Sequence, residues 1–351
     1  MTIGPPPPPV RGTMGTAQRL RGGGGLVRGL LVAGVSLALT IGGCGLPQAA
    51  EPAGAPALTR PPAGRVITVG DQAEGVAADP VTHLVVIGVR NPDGLTIVDG
   101  RTGVVRRRVP LPGHLRHLQL AAPGGPVLVP DESSGSVLTV ALPTGDVTSR
   151  TAVGRYPHDA TRTADGTVVA ADELGGALVF IRDGVVRQRI TDVTQPGGVA
   201  AVGAGVAMID VYDHTLDVYR TGPVVRTARI PAGAGPSHLV ADRHGRLFVV
   251  DTRADRLLTF SAFPRAAQTL WTSLPGSPYG LAYDAVRDRL WVTLAGRNQV
   301  VGFDVSGTAP REIARFPTVR QPNTVAVDAG TGRVFVAGRT AGQLELIDPP
   351  A

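Results

Sequence analysis

Polar and ionisable residues recur at one point of a repeated pattern in this chain: Glu74, Arg116, His117, His158, Asp159, Ser237, His238, Tyr279 and Asn323. Each stands at or beside the start of a short apolar run, as in Pro157-His158-Asp159-Ala160-Thr161 and Pro236-Ser237-His238-Leu239-Val240. Of the seven histidines, His117, His158 and His238 fall here. Two chemistries follow if these side chains converge. Arginine or histidine would meet an anionic group and Tyr279 would stack, which makes a ligand pocket needing no cofactor. Alternatively Glu74, Asp159 and Asn323 would hold Ca²⁺ or Mg²⁺, which prefer oxygen ligands, and such an ion activates water. A third reading is local, because Asp and Asn routinely satisfy backbone groups in tight turns. Asp131, Asp172, Asp210 and Asp251, at the ends of later runs, fit that third reading best. No residue is assigned as catalytic. The chain has no HExxH, CxxC or P-loop, and Ser133-Ser134-Gly135-Ser136 lacks the helix a nucleophile elbow needs.

The elements that must position these residues are strands. Gly75, His117, Asp159, Gly198, His238, Gly280 and Thr324 occupy equivalent places, with spacings of 42, 42, 39, 40, 42 and 44. A period of 40–45 with several strands per unit marks propeller blades. Each unit continues with a second apolar run (84–89, 167–171, 246–250), a third (95–98, 178–181, 257–260) and a more polar fourth (104–109, 185–190, 224–230). The runs are short, β-branched and bounded by turn residues. The seventh unit ends after three strands, and residues 65–69 (RVITV) read as its missing fourth. The expected fold is all-β: a seven-bladed β-propeller over residues 65–351, closed by an N-terminal strand that joins the C-terminal blade. Closure removes the exposed edge of an open array.

Residues 65–351 resemble the seven-bladed propellers of the YVTN and NHL type. Leu290-Trp291-Val292-Thr293 and Leu247-Phe248-Val249-Val250 are loose versions of the YVTN tetrapeptide; Kelch and WD signatures are absent. The resemblance implies that the loops leading into the innermost strands gather on one face, around the central channel. It thereby implies that Glu74, Arg116, His117, His158, Asp159, Ser237, His238, Tyr279 and Asn323 ring one mouth. Some lactonases and streptogramin lyases of this fold carry out metal-assisted chemistry at that mouth. The fold resemblance extends to them without a diagnostic motif.

The N-terminus reads as an address. Arg19, Arg21 and Arg28 precede an apolar run from Gly29 to Ile41, 13 residues long. That is the length of a signal-peptide core and is too short for a spanning helix, which needs about 20. The run ends in Ile41-Gly42-Gly43-Cys44, which resembles the bacterial lipobox, and Cys44 is the only cysteine. The resemblance implies cleavage after residue 43, diacylglycerol on Cys44, and display on the outer face of the cytoplasmic membrane. Two acyl chains suffice for stable anchoring. The alternative is a signal cleaved elsewhere with an incidental cysteine. Met1 and Met14 are both candidate starts. Residues 45–64, rich in Pro, Ala and Gly, read as a semi-extended tether.

Charge narrows the partners. All 34 basic residues are arginine against 28 acids, and removing residues 1–43 lowers the net charge from +6 to +2. A nucleic-acid partner needs a concentrated basic face, and only Arg106-Arg107-Arg108 forms a block. The outer-strand arginines read as edge protection or as attraction to anionic headgroups. The sequence thus predicts a monomeric, membrane-anchored propeller that binds a small molecule, glycan or envelope protein at its mouth. The alternative is a metal-dependent hydrolase, lactonase or lyase at the same place.

Overall fold

The structure is a computed structural model that describes Gly4 and residues 49–350. Cys44 and the expected signal segment lie outside the described residues. Seven four-stranded antiparallel sheets follow one another. Blade 1 begins at Glu74–Ala78, blade 3 at Pro157–Arg162, blade 4 at Pro196–Val202, blade 5 at Pro236–Ala241, blade 6 at Pro278–Asp284 and blade 7 at Pro322–Asp328. Blade 2 differs. Its inner strand is only Gln119–Leu120, so Arg116 and His117, expected within that strand, precede it.

Burial follows strand order. Inner and second strands are almost wholly buried, whereas the fourth strand of blade 4, Val224–Pro231, alternates between half-buried and exposed. That period of two is what a half-buried strand requires. The apolar core is divided rather than single. Val169, Phe180, Met208 and Tyr219 pack between blades 3 and 4, and Phe248, Leu257, Leu290 and Phe303 between blades 5 and 6. Every blade–blade contact has such a cluster, so each blade is held by its two neighbours.

The ring closes as expected. Arg65–Thr68 pairs antiparallel with Gln343–Ile347, from Arg65 opposite Leu346 to Thr68 opposite Gln343. Glu345 staples this seam from inside, accepting from Gly64 N at 2.7 Å and Val319 N at 3.0 Å. Phe335 and Leu344 pack there against Val85 and Val98 of blade 1.

The sheets place residues at the mouth through one repeated irregularity. In blades 1 and 3 to 7 the pairing of inner and second strands shifts within a few residues of the start, for example between Pro157 and Asp159 and between Pro236 and His238. A bulge re-aims side chains. Here it re-aims those that open each inner strand. Gly75 shows how tight this is. Its φ is +71°, and a Cβ there would lie 2.3 Å from the Arg116 carbonyl oxygen. Only glycine accepts both conditions.

Candidate functional site

Each blade contributes two positions to the mouth: the residue that opens the inner strand, and the residue just past the second strand, 14 to 16 positions later. In blades 7, 1, 2 and 3 these pairs are Asn323 and Arg339, Glu74 and Arg90, Arg116 and Glu132, and His158 and Glu173. In blades 4, 5 and 6 they are Gly197 and Val211, Ser237 and Thr252, and Tyr279 and Ala295. One half of the mouth is therefore ionic and the other neutral.

Glu74 is the hub of the ionic half and is 3% exposed. Arg90, Arg116 and Arg339 surround it at 3.7, 3.7 and 3.6 Å. Asn323 Nδ2 donates to Glu74 Oε1 at 3.4 Å. The guanidinium distances exceed hydrogen-bond length, so Coulomb attraction holds this group together more than direct bonds. Arg90 also lies 3.9 Å from Glu132. Next along the ring, His158 Nδ1 stands 2.9 Å from Glu173 and 3.3 Å from Glu132. Gln195 Nε2 donates to the other Glu173 oxygen at 2.8 Å.

Four rings cross the mouth in file. His158 lies 4.6 Å from His117, His117 4.5 Å from His238, and His238 4.4 Å from Tyr279, edge-on. His117 and His238 share a hydrogen bond, Nε2 to Nε2, at 2.9 Å. One ring must donate and the other accept, which requires at least one neutral imidazole. Burial pushes His238 down to about 3, helped by cationic His158 and Arg116. Burial also drives His117 well below its usual value, with His238 and His158 adding to it. His158 goes the other way. Burial alone would lower it, but Glu173 and Glu132 raise it to about 9. Glu173 falls to about 2, because His158 outweighs the penalty of burial. Two neutral imidazoles thus stand beside one imidazolium.

Several buried groups in this half lack a sound hydrogen bond. Among the described residues, the buried atoms at the two mouth positions without a well-aligned hydrogen bond are Glu74 Oε2, Arg90 Nε, Arg116 Nε, both Glu132 carboxylate oxygens and His158 Nδ1, the last ion-paired to Glu173 at 2.9 Å. Native proteins leave few such groups. All of these lie in blades 1 to 3. Glu132, His158 and Glu173 also offer three ligand atoms within 4.8 Å of one another.

The expected site residues fall into two groups. Glu74, Arg116, His117, His158, His238, Tyr279 and Asn323 are joined by the contacts above. Ser237 instead supports the fold, because its hydroxyl bonds Thr252 at 2.7 Å and Thr252 donates to the Pro278 carbonyl. Asp159 lines the axial channel of about 450 Å³ along the inner strands. Its carboxylate accepts from Gln119 Nε2, Ala160 N and Val199 N, and burial raises it to about 6. The expected oxygen-ligand set of Glu74, Asp159 and Asn323 meets two obstacles. Three arginines around Glu74 repel a divalent cation, and both Asp159 oxygens are already engaged. Asp172, Asp210 and Asp251 cap turns, as when Asp251 accepts from Ala234 N and Gly235 N.

Sequence reading missed Arg90, Glu132, Glu173, Gln195 and Arg339. Four of them share one signal, their place just past the second strand. Charged residues at a strand end ordinarily read as solvated turns.

No family model matches the chain, and no curated protein matches it. Solved structures do. The virginiamycin B lyase of Staphylococcus aureus superposes with a TM-score of 0.66 at 14% identity, covering 80% of this chain and 98% of that one. A streptogramin B lyase gives 0.66 at 12% identity, covering 81% and 98%. The hydrazine synthase of Kuenenia stuttgartiensis gives 0.65 at 16% identity, covering 79% and 96%. What is shared is the fold. A catalytically inactive histidine-to-alanine variant of the S. aureus lyase, with quinupristin, also superposes at 0.66.

Proposed function

We propose that this chain is a lipid-anchored propeller, displayed outside the cytoplasmic membrane, that binds a small polar molecule in the ionic half of its mouth. One observation carries the reading: among the described residues, the buried ionic atoms at the two mouth positions that lack a well-aligned hydrogen bond gather in blades 1 to 3. Such groups are costly to leave unmade, and a ligand would complete them. The chemistry favours a molecule carrying both charges. Its anionic group would face Arg90, Arg116 and Arg339; its cationic group would face Glu132 and Glu173. The rings of His117, His238 and Tyr279 supply an uncharged floor.

Native mass spectrometry of the full-length protein extracted from membranes tests this. The expected result is a stoichiometric small molecule, lost in Arg116→Met and in Glu132→Gln. A bare protein mass, with no thermal stabilisation by amino acids or short carboxylates, would count against it. The anchor is tested separately. Cys44→Ala should move the protein to the soluble fraction or block its processing, and an unchanged membrane fraction overturns the lipobox reading. Among the described residues, no helix is long and apolar enough to cross a membrane.

A second reading rests on Glu132, His158 and Glu173. Their convergence, with no well-aligned hydrogen bond at the Glu132 oxygens or His158 Nδ1, fits a divalent cation. One imidazole with two carboxylates suits Zn²⁺ or Mn²⁺ better than Ca²⁺. A bound metal would supply Lewis acidity. His117 and His238, held neutral by burial, would stand beside it. The superposing lyases make this reading worth testing. Elemental analysis of protein purified without added metal should find one equivalent, absent in Glu173→Gln; a metal-free protein that ignores added Mn²⁺ removes the reading.

A further inference from the structure

The chain's own tether runs over the loops of blades 5 to 7. Ala49 packs against the apolar cluster between blades 4 and 5. Ala50 meets Gly235 of blade 5, with 3.0 Å between the Ala50 Cβ and the place a Gly235 Cβ would occupy. Ala53 N donates to Ser277 Oγ at 3.1 Å, and Ala53 O accepts from Gln321 Nε2 at 3.0 Å. Two residues on, Ala55 N donates to Gln321 Oε1 at 2.8 Å, and Ala55 O accepts from the Arg320 guanidinium at 3.3 Å. Pro56 O accepts from Asn298 Nδ2 at 3.0 Å. Gly54 between them is exposed, and a Cβ there would meet nothing within 4 Å.

This is how an extended peptide is held by a strand partner, with alternate residues bonded through both main-chain groups. Here side chains replace the partner strand. Gln321 does most of this, since its amide both accepts from Ala55 and donates to Ala53, as a backbone would. None of these bonds reads a tether side chain, so the groove selects an extended main chain with small residues. A tract of Pro, Ala and Gly supplies that conformation at low entropic cost.

We propose that the mouth-side loops of blades 5 to 7 form a binding track for extended, Pro/Ala-rich peptide, and that residues 49–56 are its occupant in cis. The track goes beyond the small-molecule site and stands without it. It also touches that site, because Gln321 Nε2 reaches Asn323 Oδ1 at 3.1 Å and Asn323 holds Glu74. Gln321 Nε2 is shared between Ala53 O and Asn323 Oδ1, and displacing the tether would leave Asn323 as its remaining partner, so occupancy of the track bears on the ionic half.

The test uses full-length protein and a labelled peptide copying residues 47–58. The double substitution Ala53→Pro with Ala55→Pro removes both tether N–H donors and keeps the chain extended. In that variant the peptide should bind at least about tenfold more tightly than in the wild type, where the cis segment competes at high effective concentration. Adding Gln321→Asn should abolish binding. Gln321 has φ +57°, which asparagine tolerates, and the shorter amide cannot span Ala53 and Ala55. Hydrogen exchange on the wild type should show the Ala53 and Ala55 amides protected. Equal peptide binding to wild type and double variant, or none to either folded protein, overturns the proposal. A retained small molecule in the same variants separates failure here from failure of the ionic site.

Discussion

The two halves of the mouth are built on the same backbone and do opposite things with it. In blades 7 and 1 to 3 the two mouth positions carry charge or amide, buried or half-buried and incompletely bonded. In blades 4 to 6 the same positions carry Gly197, Val211, Ser237, Thr252, Tyr279 and Ala295. There the polar atoms are spent, Ser237 on Thr252 and Thr252 on the Pro278 carbonyl. Residues 49–56 run over loops of blades 5 and 6 and on to blade 7. A repeat fold sets the places and leaves their chemistry free, so function resides in the departure from sevenfold equivalence.

The largest expected break falls at Glu74. Glu74→Gln leaves Arg90, Arg116 and Arg339 facing one another without an acid between them. Removing one partner of a buried ionic group costs about 3–5 kcal/mol. The low end, about 3 kcal/mol, is expected because the Arg339 side chain is 33% exposed. Equilibrium denaturation measures it. A loss below about 1 kcal/mol would mean that the ionic half is not one coupled unit.

The second effect is a pH dependence confined to the same half. His158 is raised to about 9, so its contribution is complete below its unfolded value of about 6.5 and is lost as pH rises through about 9. Its partner Glu173 is lowered to about 2, so that contribution is present above the unfolded carboxylate value and is lost as pH falls toward 2. Unfolding temperature should fall between pH 7 and pH 9.5 in the wild type and much less in Glu173→Gln. Parallel curves for the two proteins would show that His158 is not held charged by Glu173.

A smaller effect is expected at Gly75, whose backbone lets Arg116 approach. Gly75→Ala forces a side chain onto φ +71° and against the Arg116 carbonyl. Strain of this kind costs about 1–3 kcal/mol. The ionic half should also lose any small-molecule retention, because Arg116 must move. Retention with unchanged affinity would separate the backbone strain from the site.

These residues also show what the sequence could reveal. The propeller was legible because each blade repeats a turn, an apolar run and a turn at nearly constant spacing, and because RVITV at 65–69 matches the missing fourth strand. His117, His158 and His238 stood out because they fall at one position of the repeat. Arg90, Glu132, Glu173 and Arg339 did not. A charged residue at a strand end is ordinarily solvated, and these are buried only because neighbouring blades converge on one axis. Asp159 shares the channel wall with His117 and His238, yet its carboxylate is taken up by Gln119, forty residues earlier. That contact joins two blades and leaves no local trace. The tether was readable as extended chain, but its composition says nothing of bonds made through its main chain.

The smallest prediction returns to the neutral half. Ser237→Ala removes one hydroxyl from a bonded pair and leaves Thr252 its bond to the Pro278 carbonyl, so the cost should be about 1 kcal/mol. Thr252→Val strips the carbonyl of its donor as well and should cost somewhat more. In a double-mutant cycle the two should couple, because each hydroxyl is the other's partner at 2.7 Å. Neither should change small-molecule retention or the pH profile, which belong to blades 1 to 3. If Ser237→Ala instead abolished retention at little cost in stability, the neutral half would be part of the binding surface. The division of the mouth would then describe its electrostatics and not its function.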